Sequence, residues 1–150
     1  MSPTTPRRPA GWKPDDSDID PVIGARRVIK ALKNQGVRDH RAGVITSRDK
    51  GMHEARHELR RTNRPPGFQQ WQLPVLTEGG ALVFLTVAEP GAVVPKHSHK
   101  RDLFRMILSG SIITDGKELK AGDWMYVPKG KSYSYSAAFN PGAVILHYYD

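Results

Sequence analysis

Residues 67–150 are predicted to form an all-β domain, an antiparallel sandwich or barrel, and three observations carry that prediction. Runs rich in β-branched and aromatic residues recur at short spacing: ALVFLTVAEPG, VVPKHSH, LFRMILSGSIIT, WMYVP, KSYSYSAAF and AVILHYY. Turn residues punctuate them at Glu78-Gly79-Gly80, Asp115-Gly116, Pro128-Lys129-Gly130 and Asn140-Pro141-Gly142, where the chain needs a fixed or a positive φ. Almost no helical periodicity interrupts them, and short strands joined by Gly/Pro turns make sandwiches or barrels.

The elements follow in chain order. Residues 1–22 hold five prolines and four aspartates without an apolar pattern, and read as a flexible or surface-hugging tail. Val28, Ile29 and Leu32 then form an apolar stripe at helical spacing, and Gly36 stands where a helix stops, so a short amphipathic helix is expected from about Ala25 to Asn34. It should pack on the main domain or on a second subunit. Val44-Ile45-Thr46 reads as a short strand, and MHEARHELRR as either helical or extended, ended by Pro65-Pro66-Gly67. GFQQWQLPVL reads as a strand interrupted at Pro74, which suits a sheet edge.

Composition narrows the functional classes. A chain of 150 residues can bury a real core in one domain and carry an appended segment. It has no cysteine, which removes disulfides, zinc–thiolate sites and cysteine nucleophiles together. No apolar run approaches the ~18 residues of a membrane-spanning helix. MSPTTPRRPAGWKP lacks the apolar core of a secretory leader, so a cytoplasmic location is expected. The formal charge of +8 is uneven: residues 1–66 hold 15 Lys/Arg against 8 Asp/Glu, and residues 67–150 hold 8 against 7. The basic N-terminal part reads as a solvated surface open to an acidic partner. No nucleic-acid-binding motif accompanies it, so nucleic acid is not expected.

Two histidine patterns carry chemistry. His53-Glu54-Ala55-Arg56-His57 matches HExxH; on a helix His53 and His57 would share a face and could bind zinc, with Glu54 as general base. The flanking Arg56, Arg60 and Arg61 and the break at Pro65 favour a polar surface segment instead. The second pattern is His97-Ser98-His99 within GAVVPKHSHKRDLFRMILSG. Residues i and i+2 of a strand face the same side, so these imidazoles can converge as a pair of metal ligands does.

Gly91, five residues, His97-Ser98-His99 and then Gly110 resemble the first cupin motif. Gly122-Asp123, WMYV, Pro128 and Gly130 resemble the second, with the Asp115-Gly116 hairpin between them. The resemblance spans roughly Trp71 to Tyr149. It implies a double-stranded β-helix barrel over 67–150, preceded by an N-terminal extension with a short helix over 23–66 and a tail over 1–22. It also implies a metal site of two histidines and a glutamate from the first motif and a histidine from the second. His97 and His99 carry over. The glutamate position falls on Leu103, next to Asp102, and the second-motif histidine position falls on Tyr133. Leu103 cannot ligate a metal, and Asp102 would need a bulge to face inward. Tyr133 could ligate, act as general acid/base, or bind a bound molecule. His147, His53 and His57 are the other histidines that could complete the set.

Strict alternation places Tyr133 with Tyr135 on one face, and Leu103 with Arg105 and Ile107 on one face. Arg105 reads either as an outward charge or as a contact for an anionic ligand at the barrel mouth. His147 reads either as a solvent-facing residue or as a pocket residue. The functional expectation is a small metal-binding cupin enzyme acting on a small organic molecule, of oxygenase, isomerase, lyase or cyclase type. A divalent ion (Fe, Zn, Ni or Mn) would be held by His97 and His99, with Tyr133 as the catalytic group. The alternative is a non-catalytic cupin serving as a small-molecule sensor or protein-interaction module. A homodimer is expected in either case, with the N-terminal helix covering a sheet edge.

Overall fold

The computed structural model describes residues 12–38 and 40–150. Among them, nine strands form one curled antiparallel sheet, the double-stranded barrel that the motifs imply: β1 (Arg60–Arg61), β2 (Phe68–Gln72), β3 (Leu82–Ala88), β4 (Val93–His97), β5 (Leu103–Thr114), β6 (Lys117–Lys120), β7 (Trp124–Val127), β8 (Tyr133–Ala137) and β9 (Ala143–Tyr149). The strand order is β1-β2-β3-β9-β5-β8-β4, and β6 and β7 also pair with β5. Asp115 and Gly116 both have positive φ, 49° and 71°, so the β5–β6 hairpin turns as its Asp-Gly sequence requires.

The sheet curls over on itself because β5 belongs to both of its faces. Its first half pairs with β7 and β9, and its second half with β6 and β8. The strand changes direction at a register shift between Ile107 and Ser109, beside Gly110 at φ 70°. A Cβ on Gly110 would meet the carbonyl oxygen of Gly142, so the two chains cross there backbone to backbone.

Two helices precede the barrel. α1 (Pro21–Asn34) begins four residues before the expected Ala25. The Asp20 carboxylate accepts from the Val22 and Ile23 amides, each at 2.9 Å, and Pro21 fills the first turn, an N-terminal signal that the apolar stripe does not contain. Its buried face is Gly24, Val28, Ala31 and Leu32. Ile29, expected in the stripe, is 53% exposed, because it lies one residue round from Val28. Gly24 lets the helix rest on Leu82, and Gln72 Nε2 donates to the Gly24 carbonyl at 3.0 Å. α2 (Met52–Glu58) packs Met52 and Ala55 with Leu59 against Val28, Ala31 and Leu32, a small core beside the barrel.

Several local expectations change. Val44-Ile45-Thr46 forms no strand, and Val44 is 95% exposed. The Asp49 carboxylate takes the Thr46 amide and hydroxyl at 2.8 and 2.9 Å, a side-chain-to-backbone bond that competes with extended pairing. β2 stops at Gln72, before Pro74, and β1 rather than β2 forms the edge. Of the expected tail, residues 1–11 lie outside the described residues. From Trp12 onward the chain lies against the barrel, makes a 3-10 turn at Asp16–Ile19, and seats Ile19 among Leu82, Phe84, Leu103, Val127 and Tyr149.

The outer face of the sheet is apolar in two rows. Register aligns Trp71, Leu85, Leu146, Met106 and Trp124 in one, and Val83, Tyr148, Phe104 and Tyr126 in the other. Among the described residues, no helix is long and apolar enough to cross a membrane.

Candidate functional site

The inward faces of β4, β5, β8 and β9 meet at one end of the barrel. Leu103, Arg105 and Ile107 all point inside, with exposures of 0, 2 and 1%. Arg105 lies directly across from His147 in the β5–β9 register, so both enter the interior, and His147 is 2% exposed. Neither is the solvent-facing residue that the sequence also allows. Tyr133 and Tyr135 enter from β8 with rings parallel to within 5°, and His97 lies opposite Tyr133 in the β4–β8 register.

These side chains form a continuous hydrogen-bonded chain. His97 Nδ1 donates to the Pro95 carbonyl at 2.7 Å, and His97 Nε2 faces His99 Nε2 at 3.0 Å. His99 Nε2 lies 3.2 Å from the Tyr133 hydroxyl, which accepts from Arg105 Nη2 at 3.2 Å. Arg105 Nη2 is also 3.2 Å from His147 Nδ1. The guanidinium carbon sits 4.3 Å from the Tyr135 ring centre and 5.1 Å from that of Tyr133. Cation–π contacts of this kind contribute up to about 2 kcal/mol when desolvated. They offset part of the cost of burying an ion, which reaches about 3–5 kcal/mol when its partner is missing.

Charge states follow from this packing. Burial, with the Arg105 and Arg64 charges nearby, holds His147 well below the ordinary histidine pKa, and burial lowers His97 too. Burial raises the Tyr135 phenol to about 12 and raises Tyr149 further. Arginine stays protonated here: burial opposes its charge, but the Tyr135, Tyr133 and Tyr149 oxygens around it outweigh that effect. A pH dependence of stability follows. The unfolded His147 takes a proton below pH ~6.5 that the folded one refuses, so stability should be flat above pH ~7. It should fall on acidification by up to about 1.4 kcal/mol per pH unit for this group. Urea midpoints from pH 7.5 to 5 measure it. His147→Gln should flatten the slope, and His97 should leave a smaller residue of the same sign.

A cavity of about 40 Å³ lies against this cluster. Its inner wall includes His97, His99, Arg105, Tyr133, Tyr135 and His147, and its outer wall includes Trp12, Asp15, Ile19 and Arg64. The N-terminal segment thus covers the barrel mouth. Trp12 meets the His97 ring edge-on at 5.4 Å and donates from Nε1 to the Asn63 carbonyl at 3.2 Å; Arg101 Nη1 holds the Ile19 carbonyl at 3.3 Å. Sequence reasoning missed this cover. The available signal was one large aromatic, Trp12, in an otherwise polar and proline-rich stretch.

The metal centre that the fold implies is only half matched by these residues. His97 and His99 keep the geometry of a chelating pair, and the Pro95 carbonyl fixes the His97 ring as an outer hydrogen bond does around a metal. The rest of the set does not fit. Leu103 fills the glutamate position with hydrocarbon, and the Arg105 guanidinium brings positive charge to the Tyr133 hydroxyl. Asp102 does not replace the glutamate: its carboxylate accepts from the Lys129 amide at 2.9 Å. His53 and His57 stand on α2 with their Nε2 atoms 3.1 Å apart and exposed, away from the barrel cavity. Among the described residues, no group of three or more His, Cys, Asp or Glu is placed to hold a metal ion, which leaves HExxH without a third ligand.

A double-stranded β-helix with its polar residues converging inside one end of the barrel defines a cupin. Residues 50–149 match the ChrR cupin-like domain, and the chain belongs to that family. Solved structures agree on the fold. The Rhodobacter sphaeroides complex of SigE with the anti-sigma ChrR matches at 24% identity and a TM-score of 0.54, covering 61% of this chain and 48% of that one. The present chain therefore spans about half the length of the chain it matches there. KdgF from Halomonas sp. matches at 20% identity and a TM-score of 0.51, covering 60% of this chain and 84% of that one. No curated protein matches the chain.

Proposed function

We propose that this chain is a small-molecule-binding cupin whose barrel cavity holds the ligand, and that it works as a ligand-responsive binding module. The observation that supports it is Arg105, a buried cation set into a polar cavity with no carboxylate bonded to it among the described residues. A purely structural core does not need such a group, since hydrophobic residues of similar volume serve at least as well. Thermal denaturation against a mixed panel of organic acids, amines, neutral polar compounds and sugars tests the reading. A ligand at 100 times its Kd should add about 2.7 kcal/mol. For a chain of this size that raises Tm by about 5–10 °C. A panel in which nothing stabilises the protein removes the reading.

A second reading, an enzyme, is favoured by the Tyr133 hydroxyl, which touches both His99 Nε2 and Arg105 and so could exchange a proton with a bound molecule. A metal on His97 and His99 belongs to this reading. Stoichiometric metal in protein purified without an affinity tag, with turnover lost in Tyr133→Phe, would establish it. A homodimer fits both readings, through the apolar outer face on which Trp124 is 59% exposed. Light scattering should give twice the 16.7 kDa chain mass, and Trp124→Glu should return it to the monomer.

A further inference from the structure

We propose that residues 12–15 form a displaceable plug in the barrel mouth, and that the ligand is an aromatic molecule of about indole size that takes the place of the Trp12 ring. This rests on the binding-module reading and says how that module admits its ligand and of what class the ligand is.

Size carries the argument. The space left inside the closed barrel is about 40 Å³, room for a few waters. A benzene ring occupies an enclosed cavity of about 150 Å³. No ring therefore fits beneath the strap, and a barrel that binds one has to open. The inner wall cannot give way, because His97, Arg105, Tyr133, Tyr135 and His147 stand on strands paired in ladders. The outer wall can, since Trp12, Pro14, Asp15 and Ile19 all belong to the N-terminal segment.

The two ends of that segment are held unequally. At one end Ile19 is 5% exposed, packs among Leu82, Phe84 and Tyr149, and leads directly into the Asp20 cap of α1. At the other, Trp12 is half-buried and rests on the core cluster that contains Phe68, Val94 and Tyr135. Asn63 secures it by two hydrogen bonds: its carbonyl accepts from Trp12 Nε1 at 3.2 Å, and its Nδ2 donates to the Lys13 carbonyl at 3.3 Å. The Asp15 carboxylate turns back on its own segment and accepts from the Ser17 amide at 2.9 Å. Among the described residues, no backbone-to-backbone hydrogen bond joins residues 12–15 to the barrel. Such a segment opens without disturbing the ladders beneath it, with the Asp16–Ile19 turn as the pivot.

The ring that leaves names the ring that enters. Trp12 meets His97 edge-on at 5.4 Å, a contact that another aromatic ring restores and a saturated ring of the same size forfeits. A ring N–H also recovers the Asn63 carbonyl. Trp12 is then a competitor tethered in cis, and it lowers the apparent affinity of a free ligand by the fraction of time that the mouth is open.

The test uses the full chain labelled with fluorotryptophan, whose three fluorine signals report Trp12, Trp71 and Trp124. Trp12→Phe assigns the first of them. Indole should move the Trp12 signal and give it the solvent-isotope shift of an exposed ring, while the other two stay. Cyclohexanol at the same concentration should leave all three in place. Trp12→Ala removes the tethered competitor, so it should bind indole roughly 10-fold more tightly than the parent in calorimetric titration. The fluorine spectrum of the parent chain decides the matter should Trp12→Ala not fold. Indole that raises Tm with a static Trp12 signal, or a folded Trp12→Ala that binds indole no more tightly, would overturn the plug. Cyclohexanol acting as well as indole would overturn the aromatic ligand. A compound of the mixed panel that stabilises the protein without moving Trp12 would end the plug and leave the binding module standing. No stabilisation by indole or by any panel class would end both.

Discussion

Gly110→Ala is expected to cost more than about 4 kcal/mol and to yield little soluble protein, an effect far outside the usual range for a one-methyl change. Two costs combine. A φ of 70° is left-handed, which costs an L-residue about 1–2 kcal/mol. The added Cβ would also collide with the Gly142 carbonyl, which is backbone and cannot rotate away. Gly142 cannot retreat either, because it sits at φ 91° and faces the Ala88 carbonyl. Gly116→Ala is the matched control: its φ is 71°, but nothing lies within 4 Å of its Cβ position. It should cost only about 1–2 kcal/mol. Urea denaturation of the two variants measures the difference, and equal losses would refute the account of the barrel corner.

The second large effect is a gain. Leu103→Glu combined with Tyr133→His restores the two ligands that the cupin pattern has and this chain lacks. Leu103 is fully buried and faces the interior on the same strand face as Arg105. Without metal the new carboxylate should destabilise the protein, since an uncompensated buried charge costs about 3–5 kcal/mol and Arg105 can repay only part of it. With zinc at 1,000 times its Kd the variant should recover about 4 kcal/mol. Its Tm should therefore swing by about 10 °C between zinc and chelator. The parent chain should show no comparable swing. Calorimetric titration with zinc gives the stoichiometry, expected to be one. A double variant indifferent to zinc would mean that Leu103 and Tyr133 do not occupy the missing ligand positions.

Much of this was legible before any coordinates. β-Branched runs, Gly/Pro punctuation and the two glycine-framed motifs specify the barrel, because each is a local demand of strand or turn. Alternation also groups Leu103 with Arg105 and Tyr133 with Tyr135, as the structure does. Which group faces inward is a different matter. It depends on the pairing of β5 with β9, whose strands are about 30 residues apart in the chain, and no local pattern encodes that register. An arginine is ordinarily a surface residue, and its burial here relies on the two tyrosine rings of β8 together with the Tyr133 hydroxyl and His147 Nδ1 that it bonds. The same holds for His147, whose position is set by the residue opposite it. At the N-terminus, the Asp20-Pro21 cap was readable and outweighs the apolar stripe as a marker of where α1 starts. Val44-Ile45-Thr46 had the composition of a strand but no partner strand to pair with. Residues 12–20 gave no periodicity, because they bind the barrel as an irregular strap through single residues, Trp12 and Ile19.

The sharing of β5 between the two faces of the sheet has a consequence for cooperativity. This strand is hydrogen-bonded to β6, β7, β8 and β9. Neither half of the barrel can open without breaking ladders that the other half also uses. Partial unfolding is thereby confined to the periphery, to the strap, the helices and the short edge strand β1. Arg105 and His147 lie on β5 and β9, inside the unit that melts last.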